Sequence, residues 1–142
     1  IDEIARSVSR CVRFSQGGWQ DAPEMAADLA GLTWDEIVLP PSLVGDIRQT
    51  VDAFFSQKEV FHQAGFPWRR GILLIGPPGT GKTMVCKAVA ATHPDVPLLY
   101  VRDIAERSRG DDIEAIFQHA RRCAPCILAI EDMDGLIHDQ NR

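Results

Sequence analysis

Residues 76–83 read GPPGTGKT and constrain the fold of this chain more than any other segment. They match the pattern G-x-x-x-x-G-K-[ST], a loop whose backbone N–H groups surround nucleotide phosphates. The apolar run GILLI at residues 71–75 predicts a buried strand before the loop, and residues 83–91 predict a helix after it. Because this motif needs a strand, a loop and a helix in that order, a glycine- and proline-rich turn without function is the weaker interpretation.

The residue types within the loop suit phosphate binding. Gly76, Gly79 and Gly81 permit unusual backbone angles and a close approach of the main chain to a ligand. The N-terminus of the following helix adds positive potential that favours anions. Lys82 can reach the β and γ phosphates, and the Thr83 hydroxyl can ligate Mg²⁺. The residues predicted to bind the nucleotide are Gly76, Pro77, Pro78, Gly79, Thr80, Gly81, Lys82, Thr83 and Met84.

An acidic cluster is the second candidate feature. Residues 131–134 read EDMD and directly follow the apolar run CILAI. Nucleotide hydrolases use a carboxylate after a strand to hold Mg²⁺ opposite the loop hydroxyl, and a second carboxylate can orient or deprotonate the attacking water. We assign the metal to Glu131 and the water to Asp132, and we interpret Asp134 as a structural group. A solvated acidic turn is the alternative, which the upstream loop disfavours.

These two features define the predicted site. The predicted catalytic residues are Lys82, Glu131 and Asp132, and the predicted metal ligands are Thr83 and Glu131.

Strands and helices alternate in the second half of the chain. Residues 98–101 and 126–130 predict apolar strands, and residues 111–122 predict a helix between them. The inward face of this helix is predicted to carry Ile113, Ile116, Phe117 and Ala120. The alternation predicts an α/β fold with a parallel sheet flanked by helices. Ligands of such sheets bind beyond the carboxyl ends of the strands, which is where the loop and the acidic cluster lie.

Patterns before residue 71 are weaker. Residues 7–14 show an alternation that predicts a strand, residues 16–18 predict a turn, and residues 21–32 predict a loop with a short helix. Residues 1–32 are therefore interpreted as an N-terminal segment and linker. A longer helix is predicted from an N-cap at Ser42 to about His62. Its apolar face would comprise Leu43, Ile47, Val51, Phe54 and Phe55.

Composition excludes some functional classes. The net charge is −5 and the isoelectric point is near 5.3, which argues against non-specific nucleic-acid binding as the main role. No run is long and apolar enough to span a membrane, and no signal peptide is visible. Because the chain begins at Ile1, we expect further sequence upstream. The four cysteines are compatible with a reducing environment, so a cytoplasmic location is expected.

Cys123 and Cys126 form a C-x-x-C pattern, which is typical of redox pairs and of half a zinc site. Cys123 is predicted to end a helix and Cys126 to begin a strand. The sequence has no second C-x-x-C, and its four histidines are scattered without ligand spacing. Packing cysteines are therefore favoured over a redox or metal role.

From residue 34 to residue 142 the chain resembles the AAA family of ATPases. The resemblance is carried by RGILLIGPPGTGKT at residues 70–83 and by IFQHARRCAPCILAIEDMDGL at residues 116–136. It implies a partial AAA P-loop domain over residues 33–142, with ATP and Mg²⁺ as cofactors and ATP hydrolysis as the activity. It also implies a homo-oligomer, usually a hexameric ring, that remodels a protein substrate. The sensor, arginine-finger and lid residues lie downstream in this family, so the chain is expected to be a fragment.

Two departures from the family pattern keep other functions open. Glu131 precedes Asp132, which reverses the usual order and is similar to the subgroup of the mitochondrial Rieske-protein translocase and its bacterial relatives. The segment 103–112, where the family has a pore loop, lacks an aromatic residue and carries Arg107 and Arg109. A nucleotide-gated binding module with little hydrolysis and a DNA-acting ATPase remain alternatives. A small-molecule kinase is less favoured, because nothing marks an acceptor pocket.

Overall fold

The structure, a computed structural model, describes residues 10–15, 17–77, 79–102 and 110–131. The chain divides into two compact units. Residues 1–32 and 90–142 form one, named here the sheet unit, and residues 33–89 form the other, named the loop unit. The loop unit therefore interrupts the sheet unit in sequence.

The sheet unit contains a mostly parallel sheet. Within the described residues its strand order is β2-β1-β3-β4. The strands are β1 (Cys11–Ser15), β2 (Gly18–Asp21), β3 (Leu98–Val101) and β4 (Ile127–Ile130). β1 and β2 form an antiparallel hairpin, whereas β3 lies parallel to both β1 and β4. The predicted α/β fold with a parallel sheet and flanking helices is confirmed.

Strand β1 joins the N-terminal segment to this sheet. Cys11 lies opposite Leu98 and Phe14 lies opposite Val101, and the Leu98 N–H donates to the Arg10 carbonyl at 2.9 Å. The hairpin turns at Gly17, whose φ of 77° favours glycine. Helix α1 (Pro23–Leu29) follows and buries Met25, Ala26 and Leu29. The segment interpreted as a linker thus contributes a central strand of the sheet.

Helix α5 covers the sheet with one apolar face. The helix spans Gly110–Cys123, close to the predicted bounds. Ile116 is fully buried against Val101, and Ala120 packs with Val12 and Leu99. Phe117 was predicted to face inward, but 42% of it is exposed. The prediction was wrong because consecutive residues of a helix point about 100° apart, so Phe117 turns away when Ile116 faces the sheet.

Two helices precede the phosphate loop in the loop unit. Helix α2 spans Pro41–Ser56 and helix α3 spans Lys58–Gln63. The single predicted helix is interrupted at Gln57, whose φ of −103° and ψ of 21° leave the helical region. The helix also begins at Pro41 rather than after an N-cap at Ser42. Proline suits this first position because its φ is fixed near the helical value and it needs no N–H partner there.

An aromatic cluster ties the chain that enters the loop to helix α2. Trp68 stacks on Phe54 with ring centroids 5.2 Å apart, and its indole N–H donates to the Phe54 carbonyl at 2.9 Å. Phe55 and Phe61 complete the cluster with edge-on contacts, and Lys58 Nζ lies 5.4 Å from the Trp68 ring centroid. These contacts fix the position of Trp68 before residues 71–75 begin.

The predicted strand at residues 71–75 is not formed. No described strand pairs with these residues, and Leu73 and Ile75 are 71% and 87% exposed. Leu74 alone packs against the core of the loop unit, which is built on Trp34, Ile37, Val85 and Ala88. The prediction rested on apolar character, but a strand requires a neighbouring strand to pair with its backbone.

Truncation of Ile116 should destabilise the protein strongly. Because the side chain is fully buried, Ile116→Ala should lower the free energy of unfolding by about 2–5 kcal/mol. Phe117→Ala, one residue along the same helix, is the matched control and should change it by less than about 1 kcal/mol. Urea unfolding followed by circular dichroism measures both. Equal losses in the two variants would contradict this orientation of helix α5.

Candidate nucleotide-binding site

The phosphate loop has a backbone shape that depends on glycine. Gly79 and Gly81 have φ values of 77° and 93°, in the region that side chains other than glycine rarely adopt. A Cβ on Gly76 would lie 3.2 Å from the Thr80 hydroxyl oxygen. The three glycines of the motif therefore permit two left-handed backbone positions and one close approach within the loop.

Side chains of the loop also bind its own backbone. The Thr80 hydroxyl donates to the Pro77 carbonyl at 2.8 Å. The Lys82 ammonium donates to the Gly76 carbonyl, six residues earlier. The loop therefore curls so that the Lys82 amine reaches back to its first residue. Pro78 lies outside the described residues.

Helix α4 anchors the loop. The helix spans Lys82–Ala91, as predicted, and its first turn is continued by the Val85 N–H, which donates to the Gly81 carbonyl at 3.1 Å. Val85 and Ala88 are buried in the core of the loop unit. Thr83 is half-buried in the first turn, and Met84 packs against that core. The buried apolar face of helix α4 thus fixes the helix in the core of the loop unit, and the phosphate loop lies at the N-terminal end of this helix.

Glu131 lies at the carboxyl edge of the sheet. It directly follows strand β4, is half-buried, and its backbone N–H donates to the Val101 carbonyl at 2.9 Å. This bond extends the parallel ladder one residue past the end of β4 and so fixes the backbone from which the carboxylate extends. The other predicted carboxylates, Asp132 and Asp134, lie outside the described residues, as do Arg107 and Arg109.

The predicted site residues belong to both units. The described residues of the phosphate loop lie together in the loop unit, whereas Glu131 belongs to the sheet unit. Convergence of the loop and the acidic cluster on one nucleotide therefore stays a prediction.

The loop residues fit a bound phosphate. A chain that turns through two left-handed glycines can direct successive backbone N–H groups to one side, which is the arrangement that binds anions. The Lys82 ammonium is already within reach of the loop backbone, so it can exchange a carbonyl partner for a phosphate oxygen. Hydroxyl and carboxylate oxygens, which Thr83 and Glu131 supply, are the ligands that Mg²⁺ prefers.

His119 is a chemically active residue that the sequence patterns did not single out. Its Nε2 atom lies 3.5 Å from the Cys123 sulfur. His119 and Cys123 are four residues apart, a separation that brings two side chains together on one face of a helix. This separation was the sequence signal that could have indicated their contact. Among the described residues, however, no group of three or more His, Cys, Asp or Glu side chains could hold a metal ion.

Comparison with known proteins decides the family. Residues 72–142, half of the chain, match the ATPase family associated with various cellular activities (AAA). The chain belongs to the AAA family. The matched residues include the phosphate loop and the acidic cluster.

Individual AAA proteins are similar over most of this chain. It is 30% identical over 120 residues to the peroxisomal ATPase PEX6 of Kluyveromyces lactis, covering 78% of this chain and 11% of that protein. It is 33% identical over 110 residues to the proteasome-activating nucleotidase of Saccharolobus islandicus, covering 74% and 28% respectively. It is 34% identical over 116 residues to the ATP-dependent zinc metalloprotease FtsH of Pirellula staleyi, covering 78% and 16%. The chain thus spans about a tenth to a quarter of the length of these relatives.

No described helix combines the length and the apolar character that crossing a bilayer requires.

Replacement of Gly79 should strain the loop. Gly79→Ala should lower the free energy of unfolding by about 1–2 kcal/mol, because the backbone is left-handed there. No atom lies within 4 Å of the added Cβ, so the effect isolates backbone strain. Gly45→Ala, in the interior of helix α2 and equally open, is the control and should stabilise by about 0.5–1 kcal/mol. Urea unfolding of both variants without nucleotide tests the opposite signs; stabilisation by Gly79→Ala would contradict the loop geometry.

Proposed function

We propose that this AAA module binds ATP and hydrolyses it with Mg²⁺, and that hydrolysis drives the remodelling of a protein substrate. The observation that supports this most is the phosphate loop, with its two left-handed glycines and the Lys82 ammonium turned into it. A glycine-rich turn that binds no ligand does not require two left-handed glycines together with an ammonium group directed into the loop. Membership of an ATPase family adds independent support.

The loop residues would bind the phosphates. Backbone N–H groups of residues 79–83 donate to phosphate oxygens, and the N-terminal end of helix α4 favours their negative charge. Lys82 gives up its bond to the Gly76 carbonyl and pairs with the β and γ phosphates. Exchange of a neutral acceptor for a charged one strengthens the hydrogen bond.

Two side chains would hold the cation. Thr83, in the first turn of helix α4, offers its hydroxyl oxygen, and Glu131 offers its carboxylate directly or through water. Bound Mg²⁺ supplies positive charge against the phosphate oxygens. The ladder bond from the Glu131 N–H to Val101 would keep this carboxylate at a fixed place during turnover.

Asp132 would orient the attacking water and accept its proton. A carboxylate is suited to this role when it lies within hydrogen-bond reach of the water. Because Asp is one methylene shorter than Glu, the Asp132 carboxylate extends less far toward the water than the Glu that usually occupies this position in the family. The reversed Glu131–Asp132 order also supports, as a proposal, a relation to the subgroup that includes the Rieske-protein translocase.

A protein substrate and a ring assembly are proposed for the whole protein. The names of two relatives, a proteasome-activating nucleotidase and an ATP-dependent zinc metalloprotease, connect nucleotide use with proteolysis. We therefore propose, by family analogy, that the protein forms a homo-oligomeric, hexameric ring in which a neighbouring subunit completes the site. Nucleic acid is disfavoured as the partner because the chain carries a net charge of −5.

A nucleotide-gated assembly module is the second candidate. The reversed acidic pair favours it, since a shorter carboxylate at the water position could leave binding intact and hydrolysis slow. Tight ATP binding without turnover would distinguish this function from the first. DNA-stimulated turnover would instead indicate a DNA-acting ATPase.

Lys82→Ala should abolish ATP binding or turnover. The variant removes the cation that pairs with the phosphates, and ATP turnover of the full-length protein should fall by at least about a hundredfold. Lys87→Ala, on the same helix but outside the loop, is the matched control and should keep turnover within about twofold of the parent protein. Isothermal calorimetry with ATP and Mg²⁺ separates lost binding from lost chemistry. Unchanged turnover in Lys82→Ala would refute the assignment.

Asp132→Asn should trap ATP without hydrolysing it. The amide keeps the size of the side chain but cannot accept the proton of the attacking water, so turnover should fall by about 10²–10⁴-fold while ATP affinity is retained. Steady-state turnover across a range of protein concentrations measures this in the full-length protein. Turnover of the parent that rises cooperatively with concentration would support the ring. Normal turnover of Asp132→Asn would contradict the role of this residue.

A further inference from the structure

Cys123, Cys126 and His119 bring two thiols and an imidazole together in the sheet unit. Cys123 is the last residue of helix α5, and Cys126 lies directly before strand β4. Both are free, half-buried cysteines in the sheet unit. Neither thiol has a role in the proposed binding or hydrolysis of ATP.

The fold holds the two thiols against the same apolar cluster. Both side chains pack on the group formed by Val12, Leu99 and Ala120. The Cys126 thiol donates to the Ala120 carbonyl at 3.3 Å, so it points back toward the last turns of helix α5. The C-x-x-C spacing leaves only two residues between the sulfurs, which suits a disulfide that closes a very short ring.

His119 lies one helical turn before Cys123 and is held in place. Its Nε2 atom is 3.5 Å from the Cys123 sulfur, so the neutral ring can accept the thiol proton. The Trp19 ring stacks on the imidazole with centroids 4.8 Å apart and an interplanar angle of 24°. This contact restricts rotation of the imidazole away from the thiol.

The two thiols differ in their surroundings. Burial raises the pKa of the Cys126 thiol, and the charge of Cys123 raises it further. Cys126 therefore keeps its proton at neutral pH, whereas Cys123 has the imidazole beside it. A thiol with a base beside it, as at Cys123, is suited to attack an oxidant. A neighbouring thiol that keeps its proton, as at Cys126, is suited to the later resolving step.

We propose that Cys123 and Cys126 are a redox-active dithiol that hydrogen peroxide oxidises to a disulfide, with His119 as the proton acceptor for Cys123. The Cys123 proton moves to His119 Nε2, and the thiolate sulfur attacks one peroxide oxygen. The O–O bond breaks, Cys123 becomes a sulfenic acid, and the departing hydroxide takes the proton from His119 to form water. The Cys126 sulfur then attacks the sulfenic sulfur, the S–O bond breaks, and the hydroxyl leaves with the Cys126 proton as a second water. The thiols lose two electrons and the peroxide gains them.

Formation of this disulfide would change the contacts of Cys126. The oxidised Cys126 sulfur has no proton, so its hydrogen bond to the Ala120 carbonyl is lost. The residue directly precedes strand β4, which leads to Glu131.

Mass spectrometry of the peroxide-treated protein tests the proposal. The full-length protein is reduced, exposed to hydrogen peroxide, alkylated and digested. We expect one peptide, containing Cys123 and Cys126, to lose two hydrogen atoms and to become unreactive toward alkylation. The same product should form in Cys11→Ser and Cys86→Ser, which remove the other cysteines described. Alkylation of both Cys123 and Cys126 after treatment, or a disulfide to Cys11 or Cys86, would overturn the proposal.

Single variants identify the roles of the three residues. Cys126→Ser should accumulate a sulfenic acid at Cys123, which dimedone traps, whereas Cys123→Ser should give no adduct at Cys126. His119→Gln should slow disulfide formation at least about tenfold, because the base is lost. The reduction potential of His119→Gln in glutathione redox buffers should change much less than the rate, since the main role assigned to His119 is to accept a proton during the reaction. An altered potential with an unchanged rate would assign His119 a structural role and overturn its part in the proposal.

Discussion

The parallel pairing of strand β3 is the interaction on which the rest of the sheet unit depends. β3 is hydrogen-bonded on one side to β1 and on the other to β4. Successive residues of a strand point to opposite faces of the sheet, and all four residues of β3 are buried, so both of its faces are covered. Val101 packs on Ile116 of helix α5 through its side chain and accepts the Glu131 N–H through its carbonyl. One residue therefore links the core to the backbone of a predicted metal ligand.

Strong local patterns predicted much of the fold. Helices α4 and α5 and strands β3 and β4 were predicted within a few residues, because each combines a run of apolar residues with clear boundaries. The family was predicted for the same reason, since the loop and the acidic cluster are short motifs with fixed spacing. Within the site, the sequence gives an expected set of phosphate-binding residues, but the left-handed Gly79 and Gly81 and the Lys82 bond to Gly76 required coordinates.

Features that depend on distant partners were not predictable from local patterns. The alternation at residues 7–14 predicted a strand near β1, but the place of β1 in the sheet is set by β3, more than 80 residues later. Residues 71–75 have a strand-like sequence but no described partner. The break at Gln57 lacks a proline or glycine and accompanies the packing of Phe54, Phe61 and Trp68. The sequence analysis compared His119 only with the other histidines. Its contact with the Cys123 sulfur instead follows from the separation of four residues on helix α5.

The interruption of the sheet unit by the loop unit has a consequence for synthesis on the ribosome. β1 and β2 emerge before β3 and can form their hairpin at once, because only the turn at Gly17 separates them. The parallel neighbour of β1 emerges only after residues 33–89 have been made. Until then the β3-facing edge of the hairpin is open to pairing with another nascent chain. The buried Val12 would be exposed during the same interval, so this hairpin is where a chaperone would act with most effect.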